Sequence, residues 1–216
     1  MTRYSALLPM LALASAIVNV DAADARNRHS QEPNVLTPIT EGSPILAPFQ
    51  HVRFCLRYPA DCKSDATENE RIDLNEATAK LLESVNRNVN AAIGPTVKGY
   101  GSNLEDGWII SPVMGDCNDY AVTKRHQLLQ SGLPSKALRL SVVKTRSGIG
   151  HLVLVVATTT GDLVLDNLSK EIQPWQDTDY QWLKIQSATD ARFWYEVRSA
   201  GPSIYHADRG IRMADR

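Results

Sequence analysis

Apolar residues recur at helical spacing most plainly between Asp73 and Ile93. Leu74, Ala77, Leu81, Val85, Val89 and Ala92 fall on one face, while Asn and Glu fill the other. Asp73 followed by Glu76 predicts a capping box at the start, and Gly94-Pro95 a stop at the end. A second helix is predicted from Cys117 to Gln130, ended by Ser131-Gly132 with Pro134 beyond. Lys98 to Pro112, between them, reads as loop. After the second helix the pattern becomes extended. Ala137–Lys144, His151–Thr158 and Leu163–Leu168 are apolar runs punctuated first by Gly148 and Gly150, then by Thr160-Gly161-Asp162. Tyr180–Gln186 and Phe193–Arg198 predict two further strands. Helices first, then an antiparallel meander, give an α+β fold class.

The N-terminal part has neither period. Arg3 precedes an apolar run from Ala6 to Val20, and small residues follow at Ala22, Ala23 and Ala25. The run is short for a membrane span and has the layout of a secretory signal peptide cleaved near Ala22 or Ala23. The polar stretch from Asp24 to Pro48 carries Pro33, Pro38, Pro44 and Pro48 and reads as an extended arm or linker. The expected organisation is a signal peptide (1–23), an arm (24–47) and one folded domain (48–216). The mature chain is then expected in the periplasm or outside the cell, without a membrane span.

Composition adds constraints rather than identity. The 216 residues suffice for one core-forming domain, and 43% hydrophobic with 22% charged residues is ordinary for a globular protein. A formal net charge of −1 gives no electrostatic reason to expect nucleic acid or an anionic membrane as partner. Three cysteines carry more information. In an oxidising compartment Cys55 and Cys62 can close a small disulfide loop, which leaves Cys117 as the odd thiol. A buried structural cysteine is the plain alternative for Cys117. A zinc site lacks the usual paired spacing.

Cys117 lies in Gly115-Asp116-Cys117-Asn118-Asp119-Tyr120, at the start of the second predicted helix. Helix-terminal amides and a neighbouring imidazolium both favour a thiolate, the form that acts as nucleophile. Of the five histidines, His126 is nine residues beyond Cys117 and faces the opposite side of the helix, while His29 and His206 lie in the arm and the polar tail. His151, at the start of an apolar strand, is the expected base, with His51 beside the small cysteine loop as the alternative. Asp166 ends the next strand and would orient the His151 ring. Trp108, in the loop before the nucleophile helix, either walls the cleft or packs in the core.

Together Phe54-Cys55 with Cys62, Asp106-Gly107-Trp108, the Gly115–Tyr120 segment, Gly150-His151, Gly161-Asp162 and Leu165-Asp166-Asn167-Leu168 resemble the bacterial transglutaminase-like cysteine proteinases, a family that includes LapG-type periplasmic proteases. The resemblance covers roughly Pro48 to Trp194. It implies a papain-like, transglutaminase-type core and a Cys117–His151–Asp166 triad acting on a protein substrate. In LapG-type enzymes the substrate is a large surface adhesin, and an inner-membrane receptor sequesters the protease. That subgroup carries a glutamate just after the cysteine, in a calcium site. Here the position is Asn118, flanked by Asp116 and Asp119, so the resemblance implies at most a weakened calcium site. Helix capping by Asp116 and Asp119 is the competing expectation.

Three functions are therefore in play: a cysteine endopeptidase working through a thioester, an acyltransferase using the same triad, and a catalytically silent binding module of the same fold.

Overall fold

The computed structural model describes residues 37–96 and 107–198. The expected signal peptide, most of the arm, His29 and His206 lie outside the described residues.

The order of elements begins with β1 (Thr40–Ile45), α1 (Phe49–Arg57), α2 (Glu76–Ala92), and the two short strands β2 (Gly94–Pro95) and β3 (Met114–Gly115). α3 (Cys117–Gln130), β4 (Leu138–Lys144), β5 (Gly150–Thr158) and β6 (Gly161–Leu165) follow, then β7 (Gln173–Pro174), β8 (Gln181–Gln186) and β9 (Trp194–Arg198). Seven strands form one sheet in the order β1-β9-β8-β4-β5-β6-β7, and each neighbouring pair is antiparallel. The fold class is α+β, as expected.

β5 is buried on both faces, which is why its sequence is continuously apolar. Leu152, Leu154 and Val156 join the core beneath α2 and α3, with Leu82, Val85, Val89, Ala121 and Leu128. Val153 and Val155, which alternate with them, meet Ile39, Val143, Val164, Trp175 and Ile185 on the other face. Among the described residues, no helix is long and apolar enough to cross a membrane.

Three features depart from the sequence-based expectation. α2 begins at Glu76, with Asn75 as the N-cap accepting from Thr78 N–H at 3.0 Å; Asp73 lies before the helix. The residue adjacent to the first turn is the one whose side chain reaches the orphan amides. Part of the segment read as an arm is an edge strand: β1 pairs with β9, and Glu41 accepts from Arg139 Nη2 at 2.7 Å and from Ala188 N–H at 2.8 Å. Just before it, Ile39 N–H donates to Asp162 Oδ2 and Trp175 Nε1–H to Thr37 O. Residues 37–39, with Ile39 in the core cluster on the face of Val153 and Val155, thus link the start of β1 to β6 and the turn at Trp175. The third departure is α1, where the sequence pattern gave no helix; Phe49, Val52 and Leu56 face solvent and His51 and Phe54 face inward.

Cys55 and Cys62 form a disulfide between α1 and the turn that follows it, with Cα atoms 5.5 Å apart. Replacing both cysteines by alanine is expected to lower the unfolding free energy by about 2–3 kcal/mol on the chain-entropy account of a short loop. Urea denaturation measures this; an unchanged midpoint would mean that the packing of α1 alone holds the segment.

Candidate active site

The start of α3 is built around two carboxylates. Asp116 is the N-cap and accepts from Asn118 N–H at 3.0 Å and Asp119 N–H at 3.4 Å. Asp119 completes a capping box by accepting Asp116 N–H on Oδ2 at 2.9 Å. Its Oδ1 accepts Ile109 N–H at 2.8 Å, which ties the preceding loop to the helix. Gly115 is required here, because a Cβ would come within 2.8 Å of Asp119 Cβ and Oδ2. The cap thereby holds Cys117 at the first turn of the helix, half-buried and outside the disulfide.

Asp116, Asn118 and Asp119 fit this cap better than they fit calcium. A calcium cage gathers about six to eight oxygens. Both Asp119 oxygens already accept backbone amides, Asp116 Oδ1 accepts two more, and Asn118 brings no charge. The donor set present is that of a helix terminus.

His151 stands at the start of β5 and Asp166 directly follows β6, a strand that ends at Leu165, short of the expected Leu168. The antiparallel register Leu154↔Leu165 brings the two ends together. His151 Nε2–H donates to Asp166 Oδ1 at 2.7 Å, and both residues are buried. Burial alone would lower the His151 pKa. The bond to Asp166, the interaction with the Cys117 thiol and their charges outweigh it and push the value up to about 9. Burial works against the Asp166 carboxylate, yet His151, Tyr180 and the Leu168 amide hold its pKa below the usual aspartate range. The structure therefore brings Cys117, His151 and Asp166 into one interacting set.

The other candidates sit elsewhere. His51 is 1% exposed and forms part of an aromatic core with Phe54, Trp108 and Trp194. Trp194 Nε1–H donates to His51 Nδ1 at 3.2 Å, and Gln186 Nε2 lies 2.9 Å from Nε2. Burial, then the charge of Arg125, lowers the His51 pKa to about 4, so it is a neutral packing residue rather than a base. Trp108 is buried against it and serves the core. His126 Nδ1 lies 2.9 Å from Asp61 Oδ1, on the far side of α3 as its spacing predicts.

Three residues that the sequence did not single out complete the site. Tyr180 donates its hydroxyl proton to Asp166 Oδ2. Asn90, on α2, donates to the Asp166 carbonyl at 2.9 Å and anchors the backbone there. Lys124, two turns along α3 from Cys117, is 1% exposed; burial lowers its pKa to about 7 despite the attraction of Asp166. Only a Lys following Thr123 in an otherwise apolar helix face hinted at this last role.

The family model for "Bacterial transglutaminase-like cysteine proteinase BTLCP" matches residues 41–201, well over half of the chain. No curated protein matches the chain. Among solved structures, calcium-bound Legionella pneumophila LapG is 23% identical over 59% of this chain and 74% of its own, with a TM-score of 0.49. A second Legionella pneumophila LapG structure is 26% identical over 51% of this chain and 64% of its own, with a TM-score of 0.41. Superposition this loose transfers neither a site nor a ligand. The family match is of another kind: this chain belongs to the bacterial transglutaminase-like cysteine proteinases, and it is a cysteine peptidase by family.

Two stability predictions follow from the buried charges. The folded pKa of His151 lies above its ordinary value of 6.5, so its stabilisation is complete below about pH 6.5 and is lost as pH rises through about 9. His151→Ala should flatten the fall in thermal midpoint across that window. Lys124 has the opposite sign: its folded pKa is depressed, so it costs most below about pH 7 and least near 10.5. Because burial outweighs the attraction of Asp166, Lys124→Met is expected to raise stability at neutral pH, and by less as pH approaches 10.5. Chemical denaturation at several pH values tests both, and a destabilised Lys124→Met would refute the second.

Proposed function

We propose that this transglutaminase-like cysteine proteinase is an exported endopeptidase in which Cys117 is the nucleophile, His151 the general acid and base, and Asp166 the residue that orients His151. The observation that supports this most is the 2.7 Å His151–Asp166 bond, made on a ring that also interacts with the Cys117 thiol. A His151 pKa near 9 keeps the ring cationic at neutral pH, beside the sulfur and ready to release a proton. The Cys117 sulfur attacks the peptide carbonyl carbon. The C–N bond then breaks, His151 protonates the departing amine nitrogen, and a thioester remains on Cys117. Water attacks the thioester carbonyl and passes a proton to His151. The acid product leaves, and the sulfur and the imidazolium are restored. The Cys117 backbone N–H lies in the first turn of α3, where no intrahelical acceptor exists, and is the oxyanion donor in this scheme.

Export is supported by the Cys55–Cys62 disulfide, since such bonds persist in oxidising compartments. It agrees with the signal-peptide layout of residues 1–23; in this reading the mature enzyme works in the periplasm or beyond it, on a protein substrate.

The direct test needs no substrate. Iodoacetamide labelling of folded protein, located by mass spectrometry, should modify Cys117 readily at neutral pH, and His151→Ala should slow it by roughly tenfold or more. Equal labelling rates in the two proteins would sink the proposal. With a protein substrate in hand, cleavage should fall as pH rises through about 9, when His151 loses the proton it must donate.

A further inference from the structure

We propose that Tyr180 is a positioning residue of this site: its hydroxyl holds the Asp166 carboxylate in the orientation in which it bonds His151. The inference rests on the Cys117–His151–Asp166 reading above and extends it by one residue.

The geometry comes from three strands that end at one side of the sheet. Tyr180 immediately precedes β8, which lies on the other side of β4 from β5. Gln181 pairs with Lys144 and Lys144 with Gly150, so the chain at Tyr180 is level with the start of β5. Tyr180 packs against the core cluster that contains Val143, Val153, Val155 and Val164. Its ring therefore arrives beside the imidazole, with centroids 5.7 Å apart and planes inclined at 58°.

The bonding leaves the carboxylate little freedom. Asp166 Oδ1 accepts His151 Nε2–H at 2.7 Å and Leu168 N–H at 3.1 Å, and Oδ2 accepts the Tyr180 hydroxyl. An ionised carboxylate only accepts, so the phenol is the donor. Burial, then the Asp166 bond and charge, raise the Tyr180 pKa, so the hydroxyl keeps its proton throughout the working pH range. A carboxylate bonded at both oxygens by groups on different strands cannot rotate about its Cβ–Cγ bond without breaking one of them. The same bond shields Asp166. Tyr180 and Asp166 both line a cavity of about 600 Å³, together with Val164 and Leu168. Removing the hydroxyl would leave Oδ2 facing that space, where water gives no fixed orientation. Arg146, Glu171 and Asp179 line the same cavity, and Lys124 approaches Asp166 from α3. These are the charged side chains that face the pair among the described residues.

The test is Tyr180→Phe, which keeps the ring against His151 and deletes only the donor. In ring-labelled protein the histidine signals are followed by NMR across pH, and the signal absent from His151→Ala identifies His151. We expect the His151 midpoint to fall from about 9 by at least half a pH unit, with Cys117 alkylation slowed roughly tenfold. The thermal midpoint should change little. A packing role alone would move neither the titration nor the rate, because the ring remains. A His151 midpoint that is unchanged or raised in Tyr180→Phe overturns the proposal. If His151→Ala leaves alkylation of Cys117 unchanged, the underlying triad reading fails, and the positioning role falls with it for that separate reason. Should Tyr180→Phe prove unstable, Tyr180→Leu supplies the same comparison: it carries no donor, and a wild-type His151 midpoint in it would also overturn the proposal.

Discussion

The buried carboxylate of Asp119 is the constraint from which the rest of the site is laid out. It is fully buried, and each oxygen receives a backbone amide, one from the turn before α3 and one from the loop at Ile109. Burying a carboxylate is costly unless donors of this kind meet its oxygens. In meeting that requirement the chain has to bring the loop, the turn and the first helical residues to one point. Cys117 lies inside that knot. Its position is set by the needs of its neighbours, and the absence of a side chain at Gly115 is what lets the knot close.

The sheet contributes in a different way. His151 and Asp166 are held by strand register, and neither needs a loop of special conformation. Lys124 shows the cost of placing a site over a core. Its amine is buried within the fold, with its charge resisted by burial and favoured by Asp166. Asn90 contributes from the other helix, through the backbone of Asp166 rather than its carboxylate. Both helices and the sheet thus meet at Asp166.

How much of this was legible in the sequence depended on the range of the interaction. α3 was readable to both ends, because caps and stops are local chemistry. The three strands β4, β5 and β6 were readable from β-branched runs and glycine punctuation, within a residue or two, except that β6 stops three residues early. β1 was not readable: Gly42 and Pro44 argue against a strand unless one knows that an edge position tolerates them. α1 was hidden because its apolar residues Phe49, Val52 and Leu56 face solvent, which inverts the usual pattern. His51 and His151 each stand beside apolar residues in the sequence; only three-dimensional surroundings separate a core histidine bonded by Trp194 from one bonded by an aspartate. Tyr180 and Asn90 reach Asp166 across 14 and 76 residues. No spacing rule covers such distances.

The thiol and the imidazole belong to different layers: Cys117 to the helical layer, His151 to the sheet. Secondary structure alone, however complete, leaves them apart. Their interaction exists only once α3 has docked on β5, so it is a property of tertiary assembly. In the reading proposed above, the nucleophile is therefore assembled only in the step that buries the core.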